Sequence, residues 1–112
     1  MYMENNIDYL ISHPHDDCTH ISGVLRLEHV SDYDELLKQI IQRILQSQAT
    51  YILDISRLQY LNSAGITGFA KILILTKSNN KYLHVIGDKN ISWQSKFLKS
   101  VTLISSNFTI KD

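Results

Sequence analysis

The sequence predicts one α/β domain over residues 1–112: a mixed sheet of four to five strands, antiparallel at its N-terminal start, packed with three or more helices. Three patterns carry this prediction. Two stretches near the N-terminus alternate apolar and polar residues, and an amphipathic helical stripe follows. A predicted strand at Tyr51–Ile55, which opens with three consecutive apolar residues, then leads through a short loop into a second helical pattern. Because strands then alternate with helices, the remainder of the sheet is predicted to be largely parallel.

The N-terminal pair of strands is predicted as a hairpin. Residues 7–12 alternate apolar and polar positions, and a second alternating run extends from His20 to Glu28. Between them, Pro14 and the adjacent Asp16 and Asp17 favour a turn. We therefore expect the chain to reverse direction within residues 13–17.

The first helix is predicted to begin at Ser31. Ser31 with Asp34, or Asp32 with Glu35, has the spacing of a capping box, and acidic residues suit the first turn of a helix. Apolar residues then recur at helical spacing: Tyr33, Leu36, Leu37, Ile40, Ile41, Ile44 and Leu45. This is the pattern of an amphipathic helix that packs on a sheet.

The central stretch joins a strand to a helix through a short loop. Tyr51 to Leu53 are apolar at consecutive positions, as expected of a strand covered on both faces. The predicted loop Asn62–Gly65 follows, with Ser63 at the start of the next helix. Ser63 could serve there only as the helix N-cap, or its hydroxyl could carry a phosphate. We expect such a phosphate to accept hydrogen bonds from the N–H groups of Gly65 and Ile66.

The rest of the chain completes the alternation. The pattern predicts a strand at Tyr82–Gly87, a short third helix that Ser92 could cap, and a last short strand at Phe108–Ile110. Neither a repeat nor a linker interrupts the sequence. The prediction is therefore one domain with one core.

Composition restricts the class of function. Eleven basic and eleven acidic residues cancel, so no net charge draws the chain to nucleic acid or to an anionic membrane. Cys18 is the one cysteine, which fits a reducing compartment. The N-terminal residues lack the pattern of a signal peptide, and no apolar run reaches the roughly 20 residues of a membrane helix. We therefore expect a cytoplasmic protein with neither a nucleic-acid nor a membrane partner.

The segment LDISRLQYLNSAGITGF, residues 53–69, resembles the signature of STAS domains, especially the bacterial anti-sigma factor antagonists. The resemblance implies a STAS-like fold and a regulatory module that is not an enzyme and needs neither cofactor nor metal. It implies phosphorylation of Ser63 by a partner serine kinase, reversal by a PP2C-like phosphatase, and docking on an anti-sigma factor or switch-protein kinase. Asn62 departs from the family pattern, which has an aspartate before the serine.

The predicted partner-binding surface is the loop together with the start of the second helix. Its residues are Asn62, Ser63, Ala64, Gly65, Ile66, Gly68 and Phe69. Gly65 is expected to be small because the helix packs closely on the sheet, whereas Gly68 suits either packing or a partner. Ile74 and Leu75 fall outside the core-facing arc of this helix, so we expect partial exposure and contact with a partner.

Three alternatives remain open from the sequence. The domain could be a subunit of a sensory or scaffold complex that binds without phosphorylation. It could be a hydrolase in which Ser63 is the nucleophile and His84 the base. The third concerns residues 13–20, which are rich in possible metal ligands; their spacing matches no standard zinc site, so a solvated turn is favoured.

Overall fold

The structure, a computed structural model, describes residues 3–5, 8–104 and 108–111, with side chains described over residues 8–99. Its elements in chain order are β1 (Met3–Asn5), β2 (Tyr9–His15), β3 (Cys18–Leu25), α1 (Val30–Gln46), β4 (Tyr51–Leu61), α2 (Ser63–Ser78), β5 (Leu83–Ile86), α3 (Ser92–Ile104) and β6 (Phe108–Lys111). The predicted mixed α/β class is confirmed. Ile7, the predicted first strand residue, lies outside the described residues.

The six strands form one sheet in which spatial order equals chain order, β1 to β6. The pairs β1–β2 and β2–β3 are antiparallel, and the pairs β3–β4, β4–β5 and β5–β6 are parallel. The antiparallel start and the parallel remainder are as predicted. β1 adds an edge strand to the four or five expected, because three residues are too few to show a pattern in the sequence.

The described helices pack on one face of this sheet. When parallel strands are added successively in one direction across a sheet, right-handed crossovers place all the connecting helices on the same face. Contacts agree with this, since Gly68 of α2 faces Tyr33 of α1 and the ring of Phe69 meets Trp93 of α3 at 6.4 Å. Along β4, Leu53 is buried but its neighbour Ile52 is only half-buried. The expectation of a strand covered on both faces is therefore wrong.

The N-terminal hairpin turns within the predicted residues 13–17, but its first strand is longer than expected. β2 continues through Pro14 to His15, and the turn itself comprises Asp16 and Asp17. The register between β2 and β3 shifts between Ser12 and His15. Proline lacks the N–H that a regular ladder needs, and such an irregularity is where a strand tolerates it.

Helix α1 begins earlier than its predicted capping box. Its N-cap is His29, whose N–H donates to Oδ2 of Asp32 at 3.2 Å. Ser31 is instead a residue of the first turn. The buried face of the helix is formed by Tyr33, Leu37, Ile40 and Ile44, all members of the predicted stripe.

Strand β4 is longer than the predicted Tyr51–Ile55. Its first residues pair with β5, but that pairing ends at Asp54. Beyond this point two side chains of α3 satisfy the β4 edge, as Trp93 Nε1 donates to the Leu58 carbonyl at 2.8 Å and Gln94 Nε2 to the Ile55 carbonyl at 2.6 Å. The extended strand carries the chain to the edge of the sheet where Ser63 lies.

The described residues form three helices, α1 to α3. Among them, none has both the length and the apolar character required to span a bilayer. The apolar surface of α1 and α2 instead contributes to the core beneath the sheet.

Candidate functional site

Ser63 is the first helical residue of α2 and follows β4 after a single connecting residue. Its position is exposed to solvent. It lies at the edge of the sheet where parallel strands present their carboxyl ends, the usual location of ligand and partner sites in α/β folds. A kinase or a docking partner can therefore reach it without unfolding the domain.

Asn62, not Ser63, is the N-cap of α2. Its backbone is extended, with φ −80° and ψ 176°, and its side-chain oxygen accepts the N–H of Gly65 at 3.0 Å. The interpretation of Ser63 as the cap is therefore wrong by one residue. Because Asn62 supplies the capping hydrogen bond, the Ser63 hydroxyl is not needed as a cap and is available for modification.

The side chain of Asn62 makes two further hydrogen bonds. Tyr33 OH donates to Asn62 Oδ1 at 2.8 Å, and Asn62 Nδ2 donates to the Leu27 carbonyl at 2.8 Å. Leu27 N–H in turn donates to Tyr33 OH at 3.2 Å. We call Asn62, Tyr33, Leu27 and Gly65 the Asn62 clasp; it joins the start of α2 to α1 and to the segment before α1.

The clasp changes which backbone groups could meet a phosphate. Gly65 N–H is taken by Asn62 Oδ1, and Ile66 N–H donates to the Asn62 carbonyl at 3.0 Å. These were the two donors expected to hold a phosphate, and that expectation is wrong. The first two N–H groups of the helix, those of Ser63 and Ala64, have no helical acceptor and point out at the N-terminus.

Three of the residues predicted to contact a partner are buried. Phe69 is 1% exposed and lies in the core, and Gly65 and Gly68 are also buried. A Cβ on Gly68 would lie 3.0 Å from Tyr33 Cβ and 3.3 Å from Leu37 Cδ1. Gly68 is thus a packing residue between α2 and α1.

The exposed part of α2 forms an apolar stripe that begins at the serine. Ser63, Ile66, Ala70 and Ile74 recur at spacings of three and four and so share one side of the helix. Ile66 is 36% exposed and Ile74 is 55% exposed, and the neighbouring Leu75 is 38% exposed. The predicted exposure of Ile74 and Leu75 is confirmed. We refer to Ile66, Ala70 and Ile74 as the α2 stripe; Ser63 lies at its N-terminal end.

A salt bridge joins the exposed surfaces of α2 and α1 beside the stripe. Lys71 Nζ lies 3.1 Å from Asp34 Oδ1, linking α2 to α1 across their exposed surfaces. Both side chains are about half exposed, so the pair contributes little to stability in water. It marks the flank of α2 that faces α1.

The structure does not bring His84 to Ser63. His84 pairs with Ile52 at the opposite end of β4, and Ile52 precedes Leu61 by nine residues. Nine residues of strand extend roughly 30 Å. A general base must lie within hydrogen-bond reach of its nucleophile, so these two residues cannot form a hydrolase pair in this fold.

The histidine-rich segment does not assemble a metal site within the described residues, where no group of three candidate ligands is close enough. His13 is buried, with Nδ1 2.9 Å from Thr19 Oγ1, while His20 points to the exposed sheet face near Asp54. Cys18 is buried, and burial, with the charges of Asp54 and Asp17, raises the pKa of its thiol. A raised pKa makes a thiol a poor ligand or nucleophile.

Two contributors to the site were missed in the sequence. Tyr33 was interpreted as one apolar member of the α1 stripe, and Leu27 as a strand residue. One signal was present, because a tyrosine at a core position must find a partner for its hydroxyl. The identity of that partner, 29 residues further along the chain, depends on the tertiary fold.

Comparisons with known proteins show a likeness in fold. No family model matches the chain, and no curated protein matches it in sequence. A chain of the crystal structure of diguanylate cyclase SiaD in complex with its activator SiaC, from Pseudomonas aeruginosa, matches with a TM-score of 0.73 and 16% identity, over 99% of this chain and 98% of that one.

Two structures of SiaC itself match as well. SiaC of Pseudomonas aeruginosa gives a TM-score of 0.72 at 18% identity, covering 100% of this chain and 98% of that chain. The apo form gives 0.72 at 16% identity, with 100% of both chains covered. At these identities the likeness establishes a shared fold over the whole chain.

Proposed function

We propose that this protein is a regulatory protein-binding module whose docking surface is Ser63 and the α2 stripe. Phosphorylation of Ser63 by a partner serine kinase opposes docking, and a PP2C-like phosphatase restores it. The observation that carries the proposal is the position of Ser63: exposed, relieved of capping by Asn62, and at the end of an exposed apolar stripe.

The physical basis of the switch is the contrast between a hydroxyl and a dianion at the end of an apolar surface. An apolar stripe on one helix suits insertion into a groove of another protein. A phosphoserine adds about −1.5 to −2 charges at neutral pH, and burying that charge without a partner cation is costly. The Asn62 clasp holds the helix start in place, so binding can change while the domain keeps its fold.

Two partner classes are supported by different observations. The resemblance of residues 53–69 to anti-sigma factor antagonists favours an anti-sigma factor or switch-protein kinase. The likeness in fold to SiaC, the activator in a complex with diguanylate cyclase SiaD, favours a diguanylate cyclase. The second likeness spans the whole chain, and we regard a diguanylate cyclase as the first partner to test. In either case the chain acts by binding and needs neither metal nor cofactor.

The test compares Ser63→Asp with Ser63→Ala in binding to purified candidate partners from the source organism. We expect Ser63→Ala to bind like the unmodified chain and Ser63→Asp to bind roughly tenfold more weakly, because a charge is placed at the interface. Isothermal titration calorimetry measures the affinity. With a cyclase as partner, the rate of cyclic diguanylate formation gives a second readout.

Ser92→Asp is the matched control, because Ser92 is also an exposed serine at the first position of a helix. It should leave binding unchanged. Equal affinities for Ser63→Asp and Ser63→Ala would reject the phosphoswitch, and the chain would then be a constitutive subunit of a scaffold or sensory complex.

A further inference from the structure

The clasp around Asn62 has a strict arrangement of donors and acceptors. On one side, Tyr33 OH and Gly65 N–H both donate to Asn62 Oδ1. On the other side, the Leu27 carbonyl can only accept, and it takes a proton from Asn62 Nδ2 at 2.8 Å. The residue at position 62 must therefore present an acceptor and a donor on two separate atoms, which a carboxamide does and a carboxylate at neutral pH cannot.

The direction of the tyrosine bond is also determined. Tyr33 OH accepts the N–H of Leu27 at 3.2 Å, so its single proton is left for Asn62. Tyr33 is 0% exposed, and burial raises the pKa of its hydroxyl, which keeps that proton in place. The hydroxyl is thus a relay between the segment that precedes α1 and the N-cap of α2.

We propose that Asn62 is the positioning residue for Ser63 and that its amide nitrogen is the indispensable part. Through the Leu27 carbonyl and Tyr33, it fixes the first turn of α2 against α1 and so sets where the Ser63 hydroxyl is presented. That this position matters for docking rests on the proposed function, whereas the clasp itself is a property of the free chain.

Asn62→Asp should therefore weaken the N-cap of α2, although the same exchange is ordinarily neutral at an N-cap position. Asparagine and aspartate are about equally good N-caps. Here, however, the second carboxylate oxygen of the substituted side chain would face the Leu27 carbonyl, and two acceptors repel. At neutral pH the carboxylate must turn away and release the N–H of Gly65.

The experiment measures amide hydrogen exchange at Gly65 in the free, full-length chain, for Asn62→Asp against the unsubstituted protein. At pH 7 we expect exchange in the variant to be at least roughly tenfold faster, the loss expected when one hydrogen bond of a helix cap is released. The ratio should shrink below about pH 4, where a protonated carboxyl can again donate to Leu27. A ratio of variant to unsubstituted exchange rates near one at pH 7 overturns the proposal. So does a ratio that grows in acid, which is the behaviour of an aspartate cap that acts only through the helix dipole.

Two further variants keep the result interpretable. Asn90→Asp makes the same change of charge at an exposed turn and should leave exchange at Gly65 unaltered. Tyr33→Phe removes the relay, so its effect and that of Asn62→Asp should be less than multiplicative when combined; full multiplicativity contradicts a shared clasp. None of these measurements needs a partner, so a failure of the clasp is distinguishable from a failure of the Ser63 switch.

Discussion

At the scale of single residues, the surroundings of Ser63 depend on glycine at position 65 as much as on the amide of Asn62. A Cβ on Gly65 would lie 2.3 Å from Leu61 Cδ1 and 2.8 Å from Tyr33 Cζ. The Leu61 methyl can rotate away, but Tyr33 Cζ carries the hydroxyl that bonds Asn62. Glycine at position 65 therefore lets α2 start close enough to β4 and α1 for the clasp to form.

We predict that Gly65→Ala lowers the free energy of unfolding by about 1–3 kcal/mol, through overpacking against Tyr33. Helix propensity alone predicts the opposite, a gain of about 1 kcal/mol. Gly68→Ala is the comparison, and it should cost less because its nearest contact would be 3.0 Å. Urea unfolding measures both variants. A stabilised Gly65→Ala protein would show that the neighbours move aside freely.

At the scale of elements, the second half of β4 is completed by a helix in place of a strand. Gln94 of α3 is 0% exposed, and its Nε2 lies 2.6 Å from the Ile55 carbonyl and 3.0 Å from that of Leu58. Its Oε1 accepts Asp88 N–H at 2.7 Å. One amide thus satisfies two strand carbonyls and one N–H of the loop before α3.

We predict that Gln94→Glu destabilises the domain by about 3 kcal/mol or more at neutral pH, because a buried carboxylate would face two carbonyl oxygens. Gln42→Glu, at an exposed position of α1, should change stability by about 0.5 kcal/mol or less. Thermal unfolding of both variants is the measurement. Similar melting temperatures would mean that α3 does not support β4 through Gln94.

At the scale of the whole molecule, a buried polar chain lies at the end of β4 opposite Ser63. Thr19 Oγ1 lies 2.9 Å from His13 Nδ1 and 2.6 Å from Tyr51 OH, and Arg43 Nε donates to Tyr51 OH at 2.9 Å. Arg43 also donates to the His15 carbonyl at 2.6 Å. These bonds tie the N-terminal hairpin, β4 and α1 together at one end, as the Asn62 clasp ties α1 and α2 at the other.

We predict an acid-sensitive stability from this chain of bonds. Burial, and then the charge of Arg43, lowers the pKa of His13 below its ordinary 6.5. The unfolded chain therefore binds a proton first, so the contribution of His13 to stability is complete above about pH 6.5 and declines as the pH falls toward the lower folded pKa. One proton limits this slope to about 1.4 kcal/mol per pH unit.

Urea unfolding between pH 7 and 5, with and without His13→Gln, measures that slope. The substituted protein should be less stable at pH 7 but should lose less stability as the pH falls. An NMR titration that places the His13 midpoint at or above its ordinary 6.5 in the folded state would contradict the prediction.

Periodic patterns in the sequence determined the fold class of this protein. They could do so because helix and strand periodicities depend only on residues that are close together along the chain. The helical stripe of α1, the apolar run of β4 and the alternation of strands with helices predicted the mixed sheet and the location of Ser63 at a helix start. They predicted the exposure of Ile74 and Leu75 as well, since a core-facing arc is a local property of a helix.

Tertiary structure decided which of these residues form the site. Asn62 became the cap because Tyr33 and Leu27, 29 and 35 residues earlier in the chain, offer a donor and an acceptor at its two side-chain atoms. Gly68 proved to be a packing residue because α1 crosses α2 there. Hydrogen bonds and close contacts between distant segments follow from the crossing of elements in space, and a local pattern in the sequence does not specify which individual side chains will meet there.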